Sequence, residues 1–246
     1  MSDENQPGSA GALPVRSAST TRVFTEGWDF VLTSRILPAC FFLIAALARI
    51  SGLLTFLRTT EQSGRSLVSP TVVLFLWAKV STILFFVMLV GLYVVRLRPI
   101  GKAQTLWPKA IALVGTFMMS FVALLPQPEP GMPVMIVVGL LLIGGYGITI
   151  LALAMLGRSV SIMPEARRLV RRGLYAHVRH PMYLGEMVFG AGMALEAFSP
   201  LAAILFVGFV WAQIQRTKYE EAVLQQVFPD YSEYKARTAR LIPKIY

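Results

Sequence analysis

Apolar residues in this chain come in long blocks separated by polar, mostly basic, connections, and the block lengths predict membrane helices. The first block covers 36–57 (ILPACFFLIAALARISGLLTFL), with Pro38 near its start and Arg49 inside it. The second covers 71–95 and contains Lys79; a third covers 107–125 and a fourth 132–156. Each approaches or exceeds the ~20 residues that cross a hydrocarbon core of ~30 Å at ~1.5 Å per residue. The stiff connection PQPEPGMP (126–133) predicts that the third and fourth helices form an antiparallel hairpin. Beyond 156 the pattern changes. Residues 157–180 are polar and basic, and two shorter apolar runs follow, 182–198 and 201–214, divided by Ser199-Pro200. They predict a helical hairpin that enters the membrane and returns. Its second arm continues through Arg216 and Glu220 to about Phe228, where Pro229 ends it. The segment 230–246 alternates Tyr, Lys and Arg, as an interfacial segment does.

The predicted fold is therefore an all-α polytopic membrane protein. It has about four transmembrane helices, a C-terminal membrane hairpin and a cytosolic cofactor-binding region. Three regions follow: 1–25, polar and aperiodic, expected to be a disordered cytosolic tail; 26–156, the transmembrane helices; and 157–246, the region of candidate chemistry. No short apolar core near the start suggests a signal peptide.

Composition sharpens this picture. The 246 residues are 55% hydrophobic and 15% charged, whereas a soluble domain carries about 25% charge. The net charge of +10 flanks the apolar blocks instead of forming an aromatic-interleaved stripe, so the expected electrostatic partner is membrane lipid and not nucleic acid. The 126–133 loop has no Lys or Arg. Arg96, Arg98, Lys102 and Lys109 precede the third block, and Arg158, Arg167, Arg168, Arg171 and Arg172 follow the fourth. Positive-inside counting then puts both termini in the cytoplasm, weakly opposed by Arg58 and Arg65. Cys40 is the sole cysteine, which rules out an intrachain disulfide, and with only His177 and His180 as histidines no metal site is expected.

Candidate chemistry gathers in the last third: LVRRGLYAHVRHPMYLGE (169–186), QRTKYEEAVL (215–224) and FPDYSEY (228–234). Taken bare, Gly173 punctuates a turn, Arg171, Arg172 and Arg179 are headgroup anchors, and Tyr175 and Tyr183 belong to an aromatic belt. Two details weigh against that. Arg179-His180-Pro181 puts a cation, an imidazole and a helix breaker at the mouth of an apolar hairpin, where N–H groups of a first helical turn can meet an anion. Arg216 and Glu220 share a helix face, where an exposed ion pair contributes only ~0.3–0.5 kcal/mol, so each is free to hold a charged ligand group instead. Glu221 is turned about 100° away, which favours Glu220.

The series GLYAHVRHPMY (173–183), apolar hairpin, RTKYEE (216–221) and YSEYKARTARLIP (231–243) resembles the isoprenylcysteine carboxyl methyltransferase family, which shares a wider superfamily with phospholipid methyltransferases. The resemblance covers about 157–243. It implies an S-adenosyl-L-methionine-dependent methyltransferase. Leu169, Val170, Tyr175, His180, Pro181, Met182, Tyr183 and Glu220 are then the cofactor-binding residues, and Arg216 holds the substrate carboxylate. The implied partner is a lipophilic small molecule or lipidated substrate. Arg167 and Arg168 stand where eukaryotic members have a histidine and a small polar residue, which points to a different substrate. Alternatives are N-methylation of a phospholipid amine, for which Glu186 would be the base, a nicotinamide-dependent membrane reductase, or a non-catalytic scaffold. Arg49, Lys79, Glu186 and Glu196 are intramembrane charges, functional candidates by position. His177 reads as an interfacial histidine. Gly139, Gly144, Gly145 and Gly147 are expected to allow close helix contact in the fourth span.

Overall fold

A computed structural model describes residues 28–126, 128 and 131–243. The N-terminal tail expected over 1–25 lies outside the described residues, as do parts of the 126–133 connection and the last three positions of the interfacial segment. Seven α-helices are described: α1 (Leu37–Gln62), α2 (Pro70–Val94), α3 (Leu106–Val122), α4 (Met132–Leu156), α5 (Pro181–Ala197), α6 (Pro200–Val227) and α7 (Tyr231–Arg237). Three helical stretches are long and apolar enough to cross a membrane: Trp28–Gln62, Pro70–Val94 and Met132–Ser159. The third predicted span is shorter, the 17 residues of α3.

Proline and glycine set most boundaries. Pro70, Pro133, Pro181 and Pro200 sit in the first turns of α2, α4, α5 and α6, where a missing N–H costs no helix bond. Ser199 caps α6, accepting a hydrogen bond from the Ala202 N–H at 3.1 Å. The first helix overruns its apolar block at both ends. A π-helical turn, Leu32–Ile36, precedes Pro38, whose ring removes an intrahelical donor. At the other end the helix runs on through Arg58–Gln62 and stops only near Gly64, at φ 66°. Hydrophobicity reports membrane depth, whereas the helix ends where backbone chemistry ends it.

The predicted α3–α4 hairpin is not how these helices pack. α4 lies along α5 and α2, while α3 lies along α6, so the C-terminal hairpin occupies the place expected for direct α3–α4 contact. Glycines account for this. A Cβ on Gly145 would lie 2.3 Å from the Phe189 backbone nitrogen, and one on Gly185 would lie 2.3 Å from Thr149 Oγ1. Only bare backbone admits α5 this close to α4. Tyr146 and Phe189 stack across the same interface with centroids 4.4 Å apart. Gly139 meets Leu74 on α2, but Gly144 and Gly147 face open space, contrary to the role expected of them.

One small departure from all-α structure matters for the site. β1 (Gly101–Lys102) pairs antiparallel with β2 (Glu165–Ala166), tying the connection after α2 to the segment after α4. Leu97 N–H donates to the Arg158 carbonyl at 2.9 Å, extending the tie.

Replacing Gly145 or Gly185 by Val should therefore destabilise the protein by about 1–3 kcal/mol through overpacking, whereas Gly144→Ala should be nearly neutral. Thermal unfolding in detergent checks this, with a midpoint shift of about 2–4 °C expected per kcal/mol.

Candidate functional site

The site is assembled where the 157–180 segment, the lower half of α6 and the chain after α7 converge. Gly173, at φ 63°, turns the chain into a short 3-10 helix (Gly173–Ala176), and a Cβ there would lie 2.5 Å from Met155 Sδ. That turn buries Tyr175, whose carbonyl accepts a 2.6 Å hydrogen bond from Tyr234 Oη. Residues 177–180 then pair with the chain after α7. Ala239 N–H donates to the His177 carbonyl at 3.2 Å, Arg179 N–H to the Ala239 carbonyl at 2.8 Å, and His180 N–H to the Arg240 carbonyl at 3.1 Å. The His180 N–H is thus already used and does not point at an anion.

Glu221 fixes this arrangement to α6. It pairs with Arg179 Nε at 2.8 Å and Arg240 Nη2 at 3.0 Å, and lies 3.3 Å from His180 Nε2. Burial works to raise its carboxyl, but the hydrogen bonds from His180, Arg240 and Arg179 outweigh it and hold the group well below the usual carboxylate range. Arg179 is accordingly a buried partner of Glu221 and not the headgroup anchor that the sequence suggested. Arg171 pairs with Asp230, and His177 is exposed.

Glu220, one residue earlier, faces a different environment. It accepts a hydrogen bond from Tyr183 Oη, and His180 Nδ1 lies 3.9 Å from its Oε2. The His180 and Tyr183 rings are nearly parallel, 12° apart, with centroids separated by 5.7 Å. Burial pushes the Glu220 carboxyl upward against the pull of His180 and Arg216, so a cationic ligand group would meet a carboxylate short of a full counter-charge.

These groups line a cleft of about 730 Å³, counting its open mouth. Leu169, Val170, Tyr175, His180, Met182, Tyr183 and Glu220 all contribute to its wall. Pro181 does not; it is buried as the first residue of α5. Sequence reasoning passed over Ser159, Ser161, Glu165 and Tyr231, which also line it. Arg167 does too, buried rather than at the surface. Its Nη2 pairs with Glu165 at 2.6 Å, and Arg96 reaches the same carboxylate at 2.7 Å. The one signal for Arg167 was its place, with Arg168, just before Leu169-Val170, where the chain departs from the pattern of the family it resembles. Three polar atoms of the lining, Ser159 Oγ, Arg167 Nη1 and Tyr231 Oη, are buried without a hydrogen-bond partner among the described residues. Native proteins rarely leave such groups orphaned, and three on residues that line one cleft fit a polar ligand with several acceptors. Burial raises the Tyr231 phenol, so it remains a donor at neutral pH.

Arg216 faces elsewhere, and it makes no ion pair with Glu220. Its guanidinium lies over the Tyr183 ring, 4.6 Å from the centroid, while the hydroxyl of that ring donates to Glu220. The arginine lines a second, mostly apolar chamber of about 1010 Å³, together with Phe41, Phe86, Phe189 and Glu186. Cleft and chamber share Ser161 and Met182. Arg49 lines this chamber and also a third cavity with Lys79 and Glu196, so the intramembrane charges cluster instead of standing alone. Lys79 Nζ additionally lies 5.0 Å from the centroid of the Phe56 ring.

Comparison with known proteins bears on the same part of the chain. Residues 133–231 match the family model described as phospholipid methyltransferase. Protein-S-isoprenylcysteine O-methyltransferase B of Arabidopsis thaliana is 30% identical over 117 residues, 41% of this chain and 59% of that protein. Protein-S-isoprenylcysteine O-methyltransferase of Saccharomyces cerevisiae is 33% identical over 113 residues, 43% of this chain and 47% of that protein. A nickel-cobalt-cadmium resistance protein of Alcaligenes xylosoxydans is 30% identical over 109 residues, 43% of this chain and 51% of that protein. The chain thus spans about half the length of the curated relatives it matches. The matched segment 133–231, which supplies nearly all of the cleft wall and part of the chamber wall, is thus similar to phospholipid methyltransferases and to protein-S-isoprenylcysteine O-methyltransferases.

Proposed function

We propose that this chain is a membrane methyltransferase that uses S-adenosyl-L-methionine to esterify the carboxylate of a lipophilic, isoprenylcysteine-like acid. The observation that carries this reading is the meeting of a polar cleft and an apolar, arginine-ended chamber at Ser161 and Met182. S-adenosyl-L-methionine, when bound, supplies an activated methyl group on a sulfonium. Glu220 is the residue for its ammonium, and the unpartnered Ser159, Arg167 and Tyr231 are those for its carboxylate and hydroxyls. Leu169, Val170 and Met182 give the adenine an apolar wall.

The protein's own contribution is placement. A carboxylate with an unperturbed pKa of about 4 is already ionised at neutral pH, so no general base is required. Arg216 holds that carboxylate at the inner end of the chamber, where the phenylalanines take up a greasy tail and exclude water. Joining an anion to a cation disperses charge, which a water-poor junction favours. The basic segment after α4 lines the cleft and Arg96, after α2, pairs with its Glu165, which supports a cytosolic donor site, both termini in the cytoplasm, and a multi-pass topology of about four spans plus the hairpin. N-methylation of a lipid amine has one observation in its favour: Glu186, a candidate base, lines the chamber beside Arg216.

Three outcomes are expected. Glu220→Ala should weaken S-adenosylhomocysteine binding by about 10–100-fold in calorimetric titration, as loss of a buried charge partner does. Arg216→Ala should leave that affinity within about threefold but lower kcat/KM for methyl transfer by at least about 100-fold. Radiolabelled methyl groups should appear in a base-labile ester; label in a base-stable headgroup would replace this reading with amine methylation.

A further inference from the structure

We propose that Glu186, held in place by Gln213, forms an ammonium-binding subsite beside Arg216, so that this part of the chamber takes a free amino-acid head with a lipophilic tail. This deepens the ester-forming reading above and rests on it.

Gln213 is fully buried on α6 and bridges two opposite charges without letting them collapse together. Its Oε1 accepts from Arg216 Nη1 at 3.0 Å, and its Nε2 donates to Glu186 Oε2 on α5. Among the described residues no cation lies within 4.0 Å of the Glu186 carboxylate. One amide donor leaves most of the acceptor capacity of a carboxylate unused, since its two oxygens offer about four lone-pair sites. Arg216 is likewise incompletely engaged. It is 3% exposed, donates from Nη2 to the Ile162 carbonyl at 3.1 Å, and leaves Nε without a partner. Both side chains line the same chamber, whose other walls are largely aromatic and aliphatic.

A buried charge left uncompensated in apolar surroundings is costly, so a guanidinium and a carboxylate held apart by one amide call for a ligand bearing the opposite pair at similar spacing. An α-amino acid carries its ammonium and carboxylate on a single carbon. Its carboxylate suits Arg216 and its ammonium suits Glu186. An N-acylated head offers Glu186 a neutral amide, which cannot balance the charge. The backbone of α3 keeps room for this arrangement. A Cβ on Gly115 would lie 2.9 Å from Arg216 Cδ and 3.1 Å from Gln213 Oε1, so a side chain there would push both groups out of place. Bond-making is unchanged: the substrate oxygen gains the methyl, the donor sulfur keeps the electron pair, and the ammonium serves only for recognition.

The test compares S-farnesylcysteine with N-acetyl-S-farnesylcysteine as methyl acceptors for the purified full-length chain in lipid nanodiscs, reading base-labile methyl ester. The wild-type protein should favour the free-amine form by roughly tenfold or more in kcat/KM, an effect on the scale of one charge-assisted contact. Glu186→Gln keeps the shape and should bring the two within about twofold, chiefly through a raised KM for the free-amine substrate. Equal use of both substrates by the wild type, or an unchanged preference in Glu186→Gln, overturns the subsite while leaving the ester-forming reading standing. Absence of ester from either substrate overturns that reading and the subsite with it. Base-stable label on the free-amine substrate does the same, because the ammonium would then be the acceptor.

Discussion

Glu221 is nearly inaccessible to solvent, yet its two oxygens are shared among Arg179, Arg240 and His180. Those partners come from two stretches of chain far apart in sequence, and the carboxylate itself belongs to α6. A charge buried this way stands only if its counter-charges stay in place, and removing one partner of such a cluster costs about 3–5 kcal/mol. The cluster therefore locks the entrance of α5 and the strand-like segment 238–240 onto α6. One side of the cleft inherits its position from that lock: His180 stands at the start of α5, Tyr183 one turn further on, and Glu220 immediately before the clamp.

The consequence is a division of labour between adjacent glutamates. Glu221 is consumed by structure, with cations on several sides, which leaves Glu220 to face the cleft with only a tyrosine hydroxyl and a more distant imidazole. Tyr183 then serves as a partition. Its hydroxyl meets Glu220 in the cleft while its ring carries the Arg216 guanidinium on the chamber side. A polar compartment and an apolar one thereby lie side by side, with Ser161 and Met182 in the walls of both.

Access to such a junction requires close helix packing without filling the space between helices. Gly145 and Gly185 bring α4 and α5 together, and Gly115 makes room for Arg216 and Gln213 against α3. The chamber persists because α3 is drawn to α6 instead of to its sequence neighbour α4. Aromatic rings of α1, α2 and α5 supply its walls.

The amino-acid sequence by itself determined the all-α membrane character, the positions of most helices to within a few residues, and seven residues of the cleft wall. Apolar block length, proline and glycine placement, and the compact run 169–183 are local signals, and a helix of 3.6 residues per turn expresses them locally. It also separated Glu220 from Glu221 by their angle on one helix. The tertiary structure alone decided what that angle meant. It buried Arg167, drew the half-buried Arg179 and Arg240 onto Glu221, brought Ser159 and Tyr231 to the cleft, and sent Arg216 and Glu186 into a chamber of their own. It also undid the expected α3–α4 hairpin. The physical reason is the same in each case: helix pairing and charge pairing are decided by surfaces that meet across long sequence distances, and a turn as stiff as 126–133 fixes where the chain reverses but not which faces come together.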